Sequence, residues 1–351
     1  MSNARRRVPA VWLLGGLAAA LCVVVTIAAG RGAYAIDSRT VLAVLLDHAG
    51  IADGEFTTQQ ASVLWAIRLP RVLLGVCVGA GLGIAGAVMQ SLFRNPLADP
   101  GLVGVSSGAA LAVAILIVFG GALGPWAVRA GPALLPPAAC IGAWFASWLV
   151  YRIGRTTSGV SVAAMLLAGI AINALAIALI GLASYLANDE QLRNLTFWSL
   201  GTLNQARWPA TGAVAAATIV ALLVLWPLRA GLNALALGEA EAAYLGVPVE
   251  RLKRFAVFGT AIAVGASVAF CGMIGFIGLV APHCVRMMGG PDARIVLPGA
   301  ALLGAVLISI ADVMARTVAA PAEVPIGVLT ALLGTPFFLI LLISNRHRMV
   351  V

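Results

Sequence analysis

Polar and ionisable side chains within apolar segments are the places where this chain could do chemistry, and they are few. Asp312 and Arg316 stand one helical turn apart, and His283 follows a proline. Intramembrane ionisable residues are typical of proton or sodium coupling, but an i,i+4 ion pair accounts for Asp312 with Arg316. Asn173 is interpreted as one side of an interhelical hydrogen bond. No Ser/His/Asp, Cys/His or paired-carboxylate set occurs, so we expect no enzyme activity, no catalytic residue, no metal site and no bound cofactor.

The single lysine restricts where energy could come from. A phosphate-binding loop needs the pattern G-x-x-x-x-G-K-[ST], whereas Lys253 follows Leu252. If transport through this chain is driven by ATP, we expect ATP and its Mg²⁺ to bind to a partner subunit.

The elements that position these residues are predicted to be membrane helices. The chain has 351 residues, 62% of them hydrophobic and 10% charged, with a mean hydropathy of +1.03, which is typical of a bilayer protein. It has room for about ten helices of roughly 20 residues, in one all-α transmembrane domain over 1–351. We place them near 11–30, 72–93, 101–119, 134–151, 161–187, 209–228, 255–271, 274–288, 295–316 and 324–343.

The basic residues lie in loops between the apolar segments. The formal net charge of +9 could suggest nucleic acid, but the positive-inside rule explains its distribution better. Arginine-rich ends, including Arg5, Arg6, Arg7, Arg346 and Arg348, favour an N-terminus and a C-terminus that are both cytoplasmic. We therefore expect contact with membrane lipid and none with nucleic acid.

Small residues predict a central helix. Gly75, Gly79, Gly83 and Ala87 recur every four residues, so they share one helix face and allow a neighbouring backbone to approach closely. We expect this helix inside the bundle rather than facing lipid.

A second glycine pattern predicts a broken helix. Residues 255–288 are too long for one span and too short for two, and Gly272, Gly275 and Gly278 interrupt them. At least one of the two helices should be short, with its irregular end buried in protein or lining a cavity.

Several motifs, in order along the chain, resemble the FecCD-type permeases of iron-complex and vitamin B12 ABC importers. They are RLPR at 68–71, GAVMQ at 86–90, RNPLADPG at 94–101, GVSSG at 104–108, LGEAEAAYLG at 237–246, GFIGLVAPH at 275–283 and AEVPIG at 322–327. The resemblance implies a type II ABC importer permease with ten helices, working as a homodimer in a bacterial inner membrane. It also implies two cytoplasmic ATPase subunits and a periplasmic substrate-binding protein as partners.

The resemblance places a coupling element in the loop at about 231–252. An acidic, partly apolar short helix there, with a glycine as its C-terminal stop, would suit docking into a groove of an ATPase; a solvated connector is the alternative. The residues are Leu237, Gly238, Glu239, Glu241, Leu245 and Gly246.

Gate and docking residues follow from the same resemblance. Asn95, Pro96 and Leu97 correspond to a cytoplasmic gate at the dimer axis, with a second gate segment around 159–163. On the outer side, where arginine is disfavoured, Arg68, Arg71 and Arg316 correspond to positions that bind carboxylates of the binding protein. Contact with lipid headgroups is the alternative for these arginines.

Haem is the expected substrate, because residues 185–201 are similar to the haem-importing branch and an apolar path without histidine ligands could pass a flat apolar ring without trapping it. Ferric siderophore and vitamin B12 stay open as alternatives within the family. A channel or secondary carrier acting alone is the alternative of another class, and it would need no coupling helix.

Overall fold

The computed structural model describes residues 8–345 apart from residues 33, 35, 49, 52, 53 and 158. In chain order the α-helices are α1 (Ala10–Gly30), α2 (Ser38–His48), α3 (Thr58–Val63), α4 (Leu69–Leu92), α5 (Val105–Phe119), α6 (Pro125–Ala130), α7 (Leu135–Gly154), α8 (Val162–Leu186), α9 (Asp189–Ser199), α10 (Trp208–Leu225), α11 (Arg229–Leu235), α12 (Glu239–Tyr244), α13 (Val249–Cys271), α14 (Ile277–Gly289), α15 (Ala293–Thr317) and α16 (Ile326–Asn345). A two-stranded hairpin, β1 (Arg155–Thr156) and β2 (Gly159–Val160), joins α7 to α8.

The prediction of an all-α membrane protein is confirmed. Eight of the described helical segments are long and apolar enough to cross a membrane, and each matches one of the ten predicted helices. The other two predictions correspond to α14 and α16. The terminal arginines 5–7, 346 and 348, on which the predicted topology partly depends, lie outside the described residues.

The second predicted helix begins earlier than expected. It was placed from residue 72, but Thr58–Leu92 forms one apolar helical segment. A π-helical turn, Leu64–Arg68, joins α3 to α4, and the Leu69 amide bonds to the Leu64 carbonyl. Pro70 has no amide hydrogen to donate to the turn before it. It lies in the first turn of α4, directly after the π-helical turn, and proline is tolerated at such a position.

Helix α4 lies at the centre, as its glycines predicted. It packs along α15 and also contacts α10, α13 and α14. A Cβ on Gly79 would lie 2.3 Å from the Gly304 carbonyl oxygen, and one on Gly83 would lie 2.0 Å from that of Ala300. The two helix backbones are therefore in direct contact, which any side chain at these positions would prevent.

The predicted helix break is confirmed and is partly buried: Gly272 and Ile274 are buried, whereas Met273 and Gly275 are exposed. It separates α13 from α14, whose 13 residues span about 20 Å. The Cys271 carbonyl accepts a 2.7 Å hydrogen bond from the Thr202 amide, and the Gly201 carbonyl accepts one of 3.0 Å from Ile326. The α9–α10 loop thus bonds to the end of α13 on one side and to the start of α16 on the other.

The remaining helices form a second group beside this centre. Helices α5, α7 and α8 pack against one another, and α13 joins them to α4 through its contacts with α7. Asn173 of α8 donates to the Gly101 carbonyl (3.2 Å), and its Oδ1 accepts from Ser107 of α5 (2.5 Å). The predicted interhelical role of Asn173 is confirmed.

Candidate functional site

The predicted coupling element is a short, well-bounded helix on the surface. Its N-cap residue, Gly238, has φ of 140°, a backbone conformation that favours glycine. At the other end the Gly246 amide bonds to Ala243 (2.9 Å) and the Val247 amide to Ala242 (3.0 Å). This is the Schellman pattern, and Gly246 has the left-handed φ of 82° that it requires.

One face of α12 is buried and the other is apolar and exposed. Ala242 is fully buried, whereas Leu237, Tyr244 and Leu245 are 67%, 92% and 65% exposed. These side chains lie in the short segment between two apolar spans, Trp208–Leu235 and Val249–Cys271. This exposed face is the feature of α12 that a protein partner could cover.

Glu239 and Glu241, which were assigned the same role, lie in different environments. Glu241 is exposed, but Glu239 Oε2 lies 2.7 Å from the Nζ of Lys253. The Lys253 side chain is only 1% exposed and also contacts Glu250 Oε1 at 3.4 Å and the Val160 carbonyl. Glu239 therefore fixes α12 to α13 within the chain.

The hairpin between α7 and α8 meets the same cluster. Glu250 Oε2 accepts a 3.0 Å hydrogen bond from the Val160 amide. Gly159 has φ of 117°, and a Cβ there would lie 2.9 Å from Glu250 Oε1. The segment expected to form a second gate thus sits against the first turn of α13, at the same end of the molecule as α12, which we call the inner end.

The first gate segment is a tight turn at the end of α4. Asn95 Oδ1 accepts from the Leu97 amide (2.9 Å), and the Asn95 amide donates to the Gln90 carbonyl (3.1 Å). Asn95 and Pro96 are exposed and Leu97 is half-buried. Leu97 and Pro96 border a small gap together with residues 279, 280 and 283 of α14 and residues 337 and 338 of α16.

The outer end, opposite α12, holds the three predicted docking arginines. Binding a partner's carboxylates would require accessible guanidinium groups, but all three side chains are buried. Arg68 and Arg71 are 4% and 6% exposed, and the Arg316 side chain is 8% exposed. Each guanidinium group has hydrogen-bond partners within the chain, as buried polar groups generally do where little water reaches them.

Arg71 is at the centre of this arrangement. Its Nε lies 2.8 Å from Asp312 Oδ1, and its Nη2 lies 2.9 Å from Glu323 Oε2. Asp312 also pairs with Arg316 at 3.0 Å, so the predicted i,i+4 ion pair is confirmed and belongs to a larger network. Glu323 is its outermost member, with a side chain 32% exposed.

The other two arginines close the end of α1. Arg68 Nη1 donates to the carbonyls of Ala29 and Gly30, both at 2.7 Å, and Arg316 Nη2 donates to that of Ala28 at 3.2 Å. These are carbonyls of the last helical turn, which have no partner within the helix and favour cations. Sequence reasoning missed this role, since the partners are backbone atoms more than 30 residues away.

A cavity of about 690 Å³ opens among α5, α6, α9, α10 and α13. Its polar lining comes largely from α9 and the residue before it, including Asn188, Gln191 and Asn194, and its apolar lining includes Phe197 and Trp198. Helix α9 was not predicted, although Asn188 and Gln191 form a capping box with hydrogen bonds of 2.9 and 3.0 Å. That N-x-x-Q spacing was a usable signal.

Within the described part of the chain, no group of three or more His, Cys, Asp and Glu side chains is arranged to hold a metal ion. The coupling, gate and docking roles stay predictions; the geometry places coupling and gate residues at the inner end and the arginines at the outer end.

Comparison with known proteins decides the family. The model of the FecCD transport family matches residues 11–344. The chain belongs to the FecCD transport family. A similar protein is the hemin transport system permease protein HmuU of Yersinia pestis, which is 44% identical over 96% of this chain and 96% of its own.

Two further relatives support the same assignment. The vitamin B12 import system permease protein BtuC of Salmonella paratyphi A is 40% identical over 88% of this chain and 92% of its own. Among solved structures, a metal-chelate type ABC transporter in an inward-facing conformation has a TM-score of 0.82 at 30% identity, over 94% of this chain and 98% of its own. The ten-helix permease architecture is thereby confirmed, as is the prediction that the chain is a permease rather than an enzyme.

Proposed function

We propose that this chain is the transmembrane permease subunit of an ATP-driven importer that moves haem across a bacterial inner membrane. The observation that carries the proposal is the 44% identity with a hemin transport permease over nearly the whole of both chains. In this proposal two copies form the transport path, ATP and Mg²⁺ bind to two cytoplasmic ATPase subunits, and both termini of the permease are cytoplasmic. Alternating access at the dimer axis would then move the substrate.

The exposed face of α12 supports an ATPase as its partner. Leu237, Tyr244 and Leu245, in α12 and directly beside it, are exposed apolar side chains, and Glu241 adds an exposed negative charge. Such a combination suits insertion of a short helix into a groove, with apolar anchors providing most of the binding energy.

Binding of purified ATPase to nanodisc-embedded permease tests this assignment. Leu245→Ser should weaken binding at least about fivefold, because truncating an apolar anchor at the centre of an interface costs more than about 1 kcal/mol. Glu241→Lys should weaken it further, and Arg294→Glu, an exposed charge reversal outside α12, is the matched control. Unchanged affinity for both α12 variants would remove the coupling assignment.

We further propose that the outer arginines take part in docking a periplasmic binding protein. Because Arg71 is already paired with Asp312 and Glu323, a carboxylate of the partner would have to replace one of them, and the half-exposed Glu323 is the accessible one. Glu323→Gln should then strengthen docking by weakening the internal competitor.

The test is binding-protein affinity across ionic strength, with Glu55→Gln as the control, since Glu55 is exposed and the charge change is the same. Docking through charge should weaken as salt rises. If the affinity changes neither with salt concentration nor with Glu323→Gln, contact of the outer arginines with lipid headgroups is favoured instead.

Vitamin B12 is the second candidate substrate. It is favoured by two relatives, 41% and 40% identical to this chain, that are named as permeases for cobalamin and vitamin B12 import. A ferric siderophore is the third. The cavity beside α9 includes Phe197 and Trp198 and no histidine among its lining residues, which suits passage of a flat apolar ring without ligation to its iron.

Uptake into proteoliposomes containing the permease, its ATPase and its binding protein decides among these. We expect ATP-dependent uptake of haem, with little competition from cobalamin or a ferric siderophore. Preferential cobalamin uptake would replace the substrate, and uptake without any ATPase would favour the stand-alone carrier.

A further inference from the structure

The one lysine of the chain joins three separate elements at the inner end. Its Nζ contacts Glu239 on α12 at 2.7 Å, Glu250 in the first turn of α13 at 3.4 Å, and the carbonyl of Val160 on the hairpin. The lysine side chain is 1% exposed, whereas those of Glu239 and Glu250 are 42% and 53% exposed. A buried ammonium is therefore compensated by groups that reach the surface.

The elements differ in how firmly they are held. Lys253 belongs to α13, which packs between α4 and α7. Helix α12 has six residues, and each strand of the hairpin has two. The ammonium thus stands on a fixed helix while two of its ligands come from short surface elements.

Sharing one buried charge couples those two elements. If a partner that binds α12 draws Glu239 away, the ammonium loses its nearest counter-charge, and an uncompensated buried charge is strongly unfavourable. The remaining ligands, Glu250 and the Val160 carbonyl, must then move closer. Glu250 also accepts the Val160 amide, so its movement changes the position of the hairpin.

We propose that Lys253 is a positioning residue that transmits displacement of α12 to the α7–α8 hairpin, through Glu239 on one side and Glu250 with Val160 on the other. This inference rests on the proposed function, since it takes the ATPase as the partner of α12. It gives the buried lysine a role beyond holding the inner end together: the hairpin leads directly into α8, so the cluster connects the coupling helix to a membrane-spanning helix.

Amide hydrogen exchange at the hairpin provides the test, with the full permease in nanodiscs, alone and with its ATPase. The Ser161 amide bonds to the Gly154 carbonyl at 2.9 Å, so its exchange reports closure of the hairpin without touching the lysine. In the wild type, ATPase binding should change exchange over residues 155–161 by about tenfold. In Lys253→Met that response should disappear while the ATPase binds at least as tightly, because its binding no longer has to separate Glu239 from the buried ammonium.

Four further variants distinguish transmission from a general loss of stability. Glu239→Gln should also abolish the response, the double variant should be no worse than Lys253→Met alone, and Lys253→Arg should restore the response in part. Arg254→Met removes an exposed charge from the next residue and should behave as wild type. Exchange in α4 should be the same in all variants that fold.

The outcomes are distinct. A hairpin that responds equally in wild type and Lys253→Met overturns the inference, as does a wild-type hairpin that ignores a bound ATPase. If the ATPase binds but Leu245→Ser and Glu241→Lys leave its affinity unchanged, then α12 is not the coupling helix. The inference about Lys253 is then also wrong, because it assumes that the ATPase binds α12.

Discussion

The charged residues of this chain show how far a role can be read from position in the sequence. Asp312 and Arg316 are one turn apart, and their pairing was predictable from spacing. Arg71 bonds to Asp312 and Glu323, which are 241 and 252 residues away, and nothing local indicates those contacts. Sequence reasoning therefore recognised the arginines as unusual but expected them to be exposed.

Removing Arg71 should destabilise the permease strongly. Arg71→Met leaves the carboxylates of Asp312 and Glu323 close together with less positive charge, and breaking a buried ion pair from one side costs about 3–5 kcal/mol. The melting temperature of purified protein measures the loss. Arg39→Met, at an exposed arginine, should change it little, and equal melting temperatures for both variants would contradict a structural role for Arg71.

At the scale of elements, apolar length and glycine spacing carried most of the prediction. Each of the ten predicted membrane helices has a counterpart in the structure, and the central position of α4 and the break before α14 were also predicted. Apolar length is a strong signal because a membrane helix must satisfy its own backbone groups. They missed α2, α6 and α9, which are all shorter than a membrane span; of these α9 is polar, and its Asn188–Gln191 capping box marks its start. The π-helical turn Leu64–Arg68 was also beyond prediction, since Pro70 resembles a helix start.

Contact between α4 and α15 should not tolerate one added methyl group. Gly83→Ala would place its Cβ 2.0 Å from the Ala300 carbonyl oxygen, which forces two backbones apart and should cost at least about 1–3 kcal/mol. Gly181→Ala on α8, where nothing lies within 4 Å, is the matched control. Thermal unfolding should separate the two variants; indistinguishable curves would mean that the helices are not in contact.

The N-terminus of α15 should show a defined pH dependence. Hydrogen bonds from the Asn233 side chain (2.7 Å) and the Arg294 amide (2.8 Å) to Asp292 hold the pKa of its carboxyl below the ordinary value. A lowered pKa in the folded state stabilises the protein above the unfolded value of about 3.9, and this is lost as the pH falls through the folded pKa.

Asp292→Ala should therefore cost about 0.5–2 kcal/mol at neutral pH. Its melting temperature should approach that of the wild type only below about pH 4. Asp47→Ala, at an exposed aspartate, serves as the comparison. A difference for Asp292→Ala that persists unchanged in strong acid would show that the ionised carboxylate is not what stabilises this end.

At the scale of the whole molecule, the candidate functional elements lie at two opposite ends. The inner end holds α12, the hairpin and the 94–101 turn, and the outer end holds the arginine network. The family and its architecture were predictable, because motifs spread along the chain resemble known permeases. The cluster around Lys253 was not, since it depends on three elements meeting in space.

The turn at Leu97 should act as an apolar barrier of the assembled permease. Leu97→Ser should let small solutes leak through proteoliposomes, because apolar constrictions block passage by excluding water. Release of a trapped fluorescent dye measures the leak, and Leu332→Ser, an exposed α16 residue away from the turn, is the comparison. Tight vesicles with Leu97→Ser would count against Leu97 as the plug.

The buried lysine also allows opening of the inner end to be followed by chemical modification of the natural chain. Lys253 carries the one side-chain amine in the sequence, and that amine is 1% exposed. An acylating reagent or a lysine-specific protease can therefore modify the body of the folded permease at a single place, and only after that place has opened. The rate of modification during ATP turnover would time the opening of the inner end with no engineered label.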